Sequence, residues 1–120
     1  MICTPLGFPK VTIDIELALS YTDQLVGLMF RESLPEFGGM LFPFEYNGIH
    51  GFVMKNTNIA LDMLFINEDG RITDIHHNIP PSEPGSFRST LPVNSGLEVN
   101  GGLCKRLGIE VGDLIKEIES

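Results

Sequence analysis

Val11, Ile13, Ile15 and Leu17 alternate with Thr12, Asp14, Glu16 and Ala18, the period-two pattern of a strand with one buried face. The period then changes. Ser20 or Thr22 supplies a helix cap, Asp23 suits the first turn, and Leu25, Leu28 and Met29 recur at helical spacing to about Arg31. Gly27 inside that stretch costs ~1 kcal/mol against alanine, which points to close packing with another element. Leu34-Pro35 ends the helix.

Short β segments follow. Met40 to Phe44 is apolar but contains Pro43, so it is an edge strand or carries a bulge. Asn47-Gly48 is a turn signal before a strand over Ile49 to Met54. Ile59 to Ile66, the most apolar segment, predicts a central strand covered on both sides, and Glu68-Asp69-Gly70 turns it into a hairpin partner over Arg71 to His77. Ile79 to Ser86, with three prolines and a glycine, predicts a surface loop. Leu97 to Val99 is a strand, Gly102 to Leu107 a short helix stopped by Gly108, and Leu114 to Ile118 a closing strand. About seven short strands with one well-formed helix and one short helix predict a mainly β sandwich or barrel, one domain over residues 1–120.

Charge and composition narrow the class. The chain has 120 residues and a formal charge of −8, long enough to bury a real core without metals or disulfides. Phosphate-backbone binders cluster Lys and Arg, so this acidic balance excludes a general nucleic-acid binder. The longest unbroken apolar stretch, Met63 to Ile66, is far too short to span a membrane, and Met1 to Lys10 lacks a signal peptide's charged start and apolar run. Two cysteines, Cys3 and Cys104, do not make a disulfide scaffold. Two unpaired thiols are expected, although termini often lie close enough for one bridge.

Gly27-Leu28-Met29-Phe30-Arg31, Gly39-Met40-Leu41-Phe42, Phe52-Val53-Met54-Lys55-Asn56-Thr57 and Leu61-Asp62 occur in that order, followed by Leu97-Glu98-Val99-Asn100-Gly101-Gly102, Leu107-Gly108-Ile109 and Gly112-Asp113. This succession resembles the domain of unknown function 192 family from about Val11 to Ile118. The resemblance implies a small β-rich sandwich or barrel-like domain with a helix, often in exported proteins, and no established activity. The chain is accordingly either cytoplasmic or exported with its leader absent. It departs from the family pattern at Val53, where an aromatic residue, often tryptophan, is usual, and over the loop from Ile79 to Pro92. A ligand stacked on that aromatic residue would be held less well here.

Several residues could carry chemistry. Asp62 lies within the apolar run Ile59 to Ile66, where an ionised carboxylate needs a partner. Either it accepts backbone N–H groups from the Lys55 to Asn58 loop, or it joins Lys55 or Arg31 in a polar site rimmed by Met40, Phe42 and Met54. Lys55, Asn56 and Thr57 offer an ammonium, an amide and a hydroxyl together, suited to anions or sugar hydroxyls or else to a simple turn. Arg31 suits a carboxylate or phosphate, or the end of a helix. Glu98 and Asn100 share a strand face that lines a cleft or meets solvent. His76 and His77 are adjacent and point to opposite faces of a strand; Asp74, His76 and His50 complete no fixed ligand set, and neither a metal nor a cofactor is implied.

Three functions fit these residues. The first is a non-catalytic module binding a small molecule, glycan or other polymer in a cleft with Arg31, Met54, Lys55, Asn56, Asp62 and Glu98. The second is a protein-interaction adaptor presenting an apolar patch around Phe37, Met40, Phe42 and Phe44. The third is an enzyme using Asp62 or Glu98 as acid or base, with Lys55 or Arg31 stabilising negative charge. They rank in that order.

Overall fold

The alternation at the start of the chain gives strand β2, Thr12–Leu17, with Ile13 and Ile15 fully buried and Thr12 and Asp14 exposed. A computed structural model describes residues 3–8 and 11–117. The outer part of the expected closing strand, Ile118, and the Cys3 side chain lie outside the described residues.

After β2, helix α1 spans Tyr21–Val26, and the Ser20 side chain caps it by accepting from the Asp23 N–H at 3.0 Å. The helix is shorter than its apolar spacing predicts. Gly27 takes φ 52° and ψ −127°, a conformation open to glycine that breaks the helical path. The chain then turns Leu28 into the core and leaves Leu25 outside. Strand β3, Gly38–Gly48, lies parallel to β2, a pairing that needs a crossover such as α1 supplies. β3 is an interior strand rather than an edge, and its ladder shifts register between Pro43 and Gly48, where the proline lacks a donor. The turn expected at Asn47-Gly48 falls just after it, ahead of strand β4, Gly51–Val53.

Strand β5, Leu61–Ile66, has all six residues buried, as its unbroken hydrophobicity predicts. It forms a hairpin with β6, Ile72–Ile79, through a turn in which Gly70 adopts φ 80° and the Asn67 side chain accepts from the Asp69 and Arg71 N–H groups. β6 extends two residues beyond its expected end. The proline-rich loop is therefore confined to 80–85 and leads into a short strand β7, Ser86–Arg88, that hydrophobic patterning does not reveal. Strand β8, Val93–Asn100, precedes α2, Leu103–Leu107, which Gly108 ends at φ 69°. β9, Lys116–Glu117, pairs with an N-terminal strand β1, Cys3–Gly7, to which Pro5 gives no strand signature.

Seven strands form one mixed sheet in the order β6-β5-β8-β3-β2-β1-β9, and β4 pairs with β7 alone. Backbone bonds from Ile72 N–H to Asp113 O, 3.0 Å, and from Ile115 N–H to Gly70 O, 2.8 Å, bring the sheet's ends together. The sheet curls without closing into a barrel. One core cluster, with Ile13, Ile15, Leu64, Leu97 and Val99, also takes Leu103 and Cys104 of α2. The other gathers Leu28, Met40, Phe42, Met54, Leu61 and Met63. No helix among the described residues is long and apolar enough to cross a membrane.

Candidate functional site

Glu98 stands in the middle of β8, in register with Met40 of β3 on one side and Met63 of β5 on the other. Both methionines are fully buried, and Glu98 itself is 4% exposed. Removal from water disfavours the ionised form, and burial pushes its carboxyl up from 4.5 to about 8. Among the described residues its side chain has no hydrogen-bond partner and no ion pair. A buried polar group without a partner is uncommon in native proteins and calls for an explanation.

The carboxyl lies in the lining of a cleft of about 200 Å³. Residues 24–29, the end of α1 and the turn after it, form one wall, and β4 and Thr57 form the other; Phe42 and Glu98 complete the lining. The Phe42 and Phe52 rings are tilted at 57° with centroids 4.8 Å apart. Phe52 also passes directly over Gly96, where a Cβ would come within 2.4 Å of the ring. At Gly27 a Cβ would sit 3.7 Å from a Glu98 carboxyl oxygen and 3.5 Å from Phe42 Cζ. The absence of a side chain there keeps the space above the carboxyl open.

The lining's remaining hydrogen-bonding capacity is one-sided. Both amide hydrogens of Gln24 are spent, on Ala18 O at 3.0 Å and Pro43 O at 2.6 Å, which leaves Oε1 to accept. Thr57 is buried, and its hydroxyl donates to Lys55 O at 3.3 Å. No Lys, Arg or His among the described residues lines the cleft.

The residues singled out in the sequence do not converge. Asp62 lies on the sheet's other face, in register with Val99, and is fully buried. Its carboxylate accepts from the N–H groups of Asn78 at 2.7 Å, Gly102 at 2.9 Å and Cys104 at 2.9 Å. These donors come from β6 and the start of α2, not from the Lys55 to Asn58 turn. Arg31 makes a two-pronged ion pair with Glu16, one contact being 3.0 Å. Met54 is sealed in the same core cluster as Met40 and Met63. Lys55 and Asn56 are exposed in the turn beyond β4, where Asn56 takes φ 54° and its carbonyl accepts from Phe30 N–H at 2.9 Å. Asn100, two residues from Glu98, donates instead to the Leu34 and Pro35 carbonyls.

The histidines are similarly occupied: His76 Nε2 lies 2.8 Å from Arg88 O and His50 Nε2 lies 2.9 Å from Tyr46 O. Asp74 accepts from Thr90. No group of three potential metal ligands occurs among the described residues. A second cleft, about 340 Å³, includes His77 and Cys104. There His77 Nδ1 is buried without a partner among the described residues, but burial and the adjacent Asp62 carboxylate push the free Cys104 thiol far above its ordinary range, which disfavours the nucleophilic thiolate.

Gln24 and Phe52 carry no sequence signal as cleft residues, whereas Thr57, read from the sequence with Lys55 and Asn56 as a polar group, reaches the lining without those two neighbours. Gly27 carries one, as a glycine inside a helical pattern. So does Val53, which stands on the cleft wall, 54% exposed, at the position where the family resemblance anticipates an aromatic residue.

Two solved structures share this architecture. A proposed transcription regulator from Sinorhizobium meliloti 1021 is 35% identical, with 97% of this chain and 94% of that chain covered and a TM-score of 0.93. A protein of unknown function from Novosphingobium aromaticivorans DSM 12444 is 34% identical, covering 95% and 84% of the two chains, with a TM-score of 0.89. No curated protein matches. The sequence profile of DUF192, described as an uncharacterised ACR, matches residues 6–117. The chain belongs to the DUF192 family.

Proposed function

We propose that this domain is a non-catalytic module that binds a small ligand in the cleft over Glu98. The observation carrying the reading is a carboxyl 4% exposed, without a hydrogen-bond partner among the described residues, in the lining of an open cleft. Binding pockets combine apolar walls with a few polar groups of this kind. The volume of about 200 Å³ is below the roughly 300–1,000 Å³ of pockets for drug-sized molecules, so the ligand is small or inserts one end. Among the described residues Glu98 is the one carboxyl in the lining, which favours recognition over acid–base chemistry by two carboxyls.

The patch expected around Phe37, Met40, Phe42 and Phe44 does not form, because Met40 and Phe42 are buried in the core and Phe44 packs against it. The adaptor reading draws support instead from other apolar residues around the mouth, Leu25 at 62%, Val53 at 54% and Val26 at 45% exposed. The regulator description of one structural neighbour gains no support as direct nucleic-acid binding from a chain of charge −8.

A fragment screen read by amide NMR tests the proposal. Saturable shifts confined to Gly27, Phe52, Val53 and Thr57, and weakened in a folded Glu98→Gln variant, are expected. If no fragment gives saturable shifts there, the cleft is not a ligand site.

A further inference from the structure

We infer that the cleft selects a small organic cation, an ammonium or amidinium group on an apolar body, with the charged group against Glu98 and the apolar part between Phe42, Phe52 and Val53. The inference rests on the cleft being a ligand site and adds the chemical class of the ligand.

The side-chain polarity of the lining argues for a ligand rich in donors. Gln24 has only its carbonyl oxygen unspent, the Thr57 hydroxyl already donates to Lys55 O, and Glu98, which offers one O–H donor as the neutral acid, only accepts once ionised. An ammonium brings three N–H donors and no acceptor. An anion would meet a carboxyl and no side-chain cation, since Arg31 is engaged by Glu16 and Lys55 is outside the lining. The Phe42 and Phe52 rings add faces that attract cations, and the overall charge of −8 favours a positive ligand at long range.

Binding is then coupled to a proton. Glu98 titrates near 8 because burial alone raises it, so at pH 7 about nine-tenths of the molecules carry the neutral acid. An incoming cation stabilises the carboxylate, and the carboxyl proton leaves to solvent as the ion pair forms. The titratable or charged groups on the surrounding elements are Glu16 of β2 and His76 of β6, in register with Met40 and Met63 on the same sheet face, Arg31 paired with Glu16, Tyr21 and Asp23 of α1, Glu45 and Tyr46 of β3, Asp62 of β5, Arg88 of β7 and Lys55 in the turn after β4. None of them lines the cleft. The pH dependence of affinity therefore belongs to Glu98.

The test compares benzylammonium, benzyl alcohol and benzoate by amide NMR titration of the full chain. Benzylammonium is expected to bind at least about tenfold more tightly than the other two at pH 7. Its Kd is expected to fall about tenfold from pH 6 to 7 and to level off above about 8. The folded Glu98→Gln variant is expected to lose both the preference and the slope. Equal or tighter binding of the alcohol or benzoate, or a pH-independent Kd for the amine, overturns the cation assignment while leaving the cleft as a ligand site. Failure of all three to shift the cleft amides overturns both.

Discussion

Asp62 and Glu98 occupy neighbouring strands yet face opposite sides of one sheet: Asp62 is in register with Val99, and Glu98 with Met63. Each carboxyl is buried, and their surroundings divide their roles. Asp62 meets three backbone N–H groups, whereas Glu98 meets methionines, aromatic rings and an open cleft. The first arrangement stabilises a fold. The second leaves a carboxyl at an open cleft with no hydrogen-bond partner among the described residues.

Asp62→Asn is expected to destabilise the domain by about 2–4 kcal/mol, because an amide NH2 then confronts a backbone donor in a buried site. Urea unfolding measures the loss. Ligand affinity at the cleft is expected to stay within about twofold of wild type under conditions where the variant is folded. A stable Asp62→Asn variant with weakened binding would move Asp62 into the site.

Glu98 makes stability depend on pH with a definite sign. Its folded value of about 8 lies above the ordinary 4.5, so between these limits the folded state holds more protons than the unfolded one. Its contribution is fully present below about 4.5 and is lost as pH rises through 8, a change on the order of 5 kcal/mol. Glu98→Gln is expected to remove this component. The measurement is the urea midpoint from pH 5 to 9, with the variant gaining on wild type as pH rises. A constant difference across that range would contradict the desolvated carboxyl.

Gly27→Ala is expected to cost about 1–3 kcal/mol, since φ 52° with ψ −127° is strained for any residue with a Cβ. Steric conflict contributes little, because the added carbon meets Phe42 and Glu98 at ordinary contact distances. The same carbon narrows the space over the carboxyl, so ligand affinity is expected to fall at least about threefold in a variant shown to be folded. Unchanged affinity would place the ligand elsewhere.

Gly96→Ala probes the other wall. A Cβ at 2.4 Å from Phe52 Cζ forces the ring to move, and over-packing of this kind costs about 1–3 kcal/mol. The amide and ring signals of Phe52 and Val53 are expected to shift more than those around Asp62. A larger response on the Asp62 face would contradict the packing described.

Hydrophobic patterning reveals β2 and β5 because one has a clean inside and outside and the other has no outside at all. It extends α1 too far, since the apolar spacing of Leu25, Leu28 and Met29 does not register that Gly27 has left helical space. It passes over β1 and β7, which lie in proline- or glycine-interrupted segments; β1 is completed by pairing with β2 and the distant β9, and β7 by pairing with β4. Glu98 shows the same limit within the site. Leu97 and Val99 alternating with Glu98 and Asn100 is the pattern of a half-solvated strand, but β8 has core on both faces. The burial of Glu98 arises from Met40 and Met63, which are brought beside it only by the sheet order. Asp62, by contrast, announces its burial through its apolar neighbours, and only the identity of its donors requires the fold.

The central claim is that Glu98 is a desolvated carboxyl held ready for a ligand. Carbon-detected NMR of the Glu98 side-chain carboxyl across a pH titration, with and without saturating benzylammonium, tests it most directly. The account predicts a midpoint near 8 in the free protein and a shift of at least about one pH unit downward when the cation is bound. A free-protein midpoint near 4.5, or one that the cation leaves in place, would contradict it.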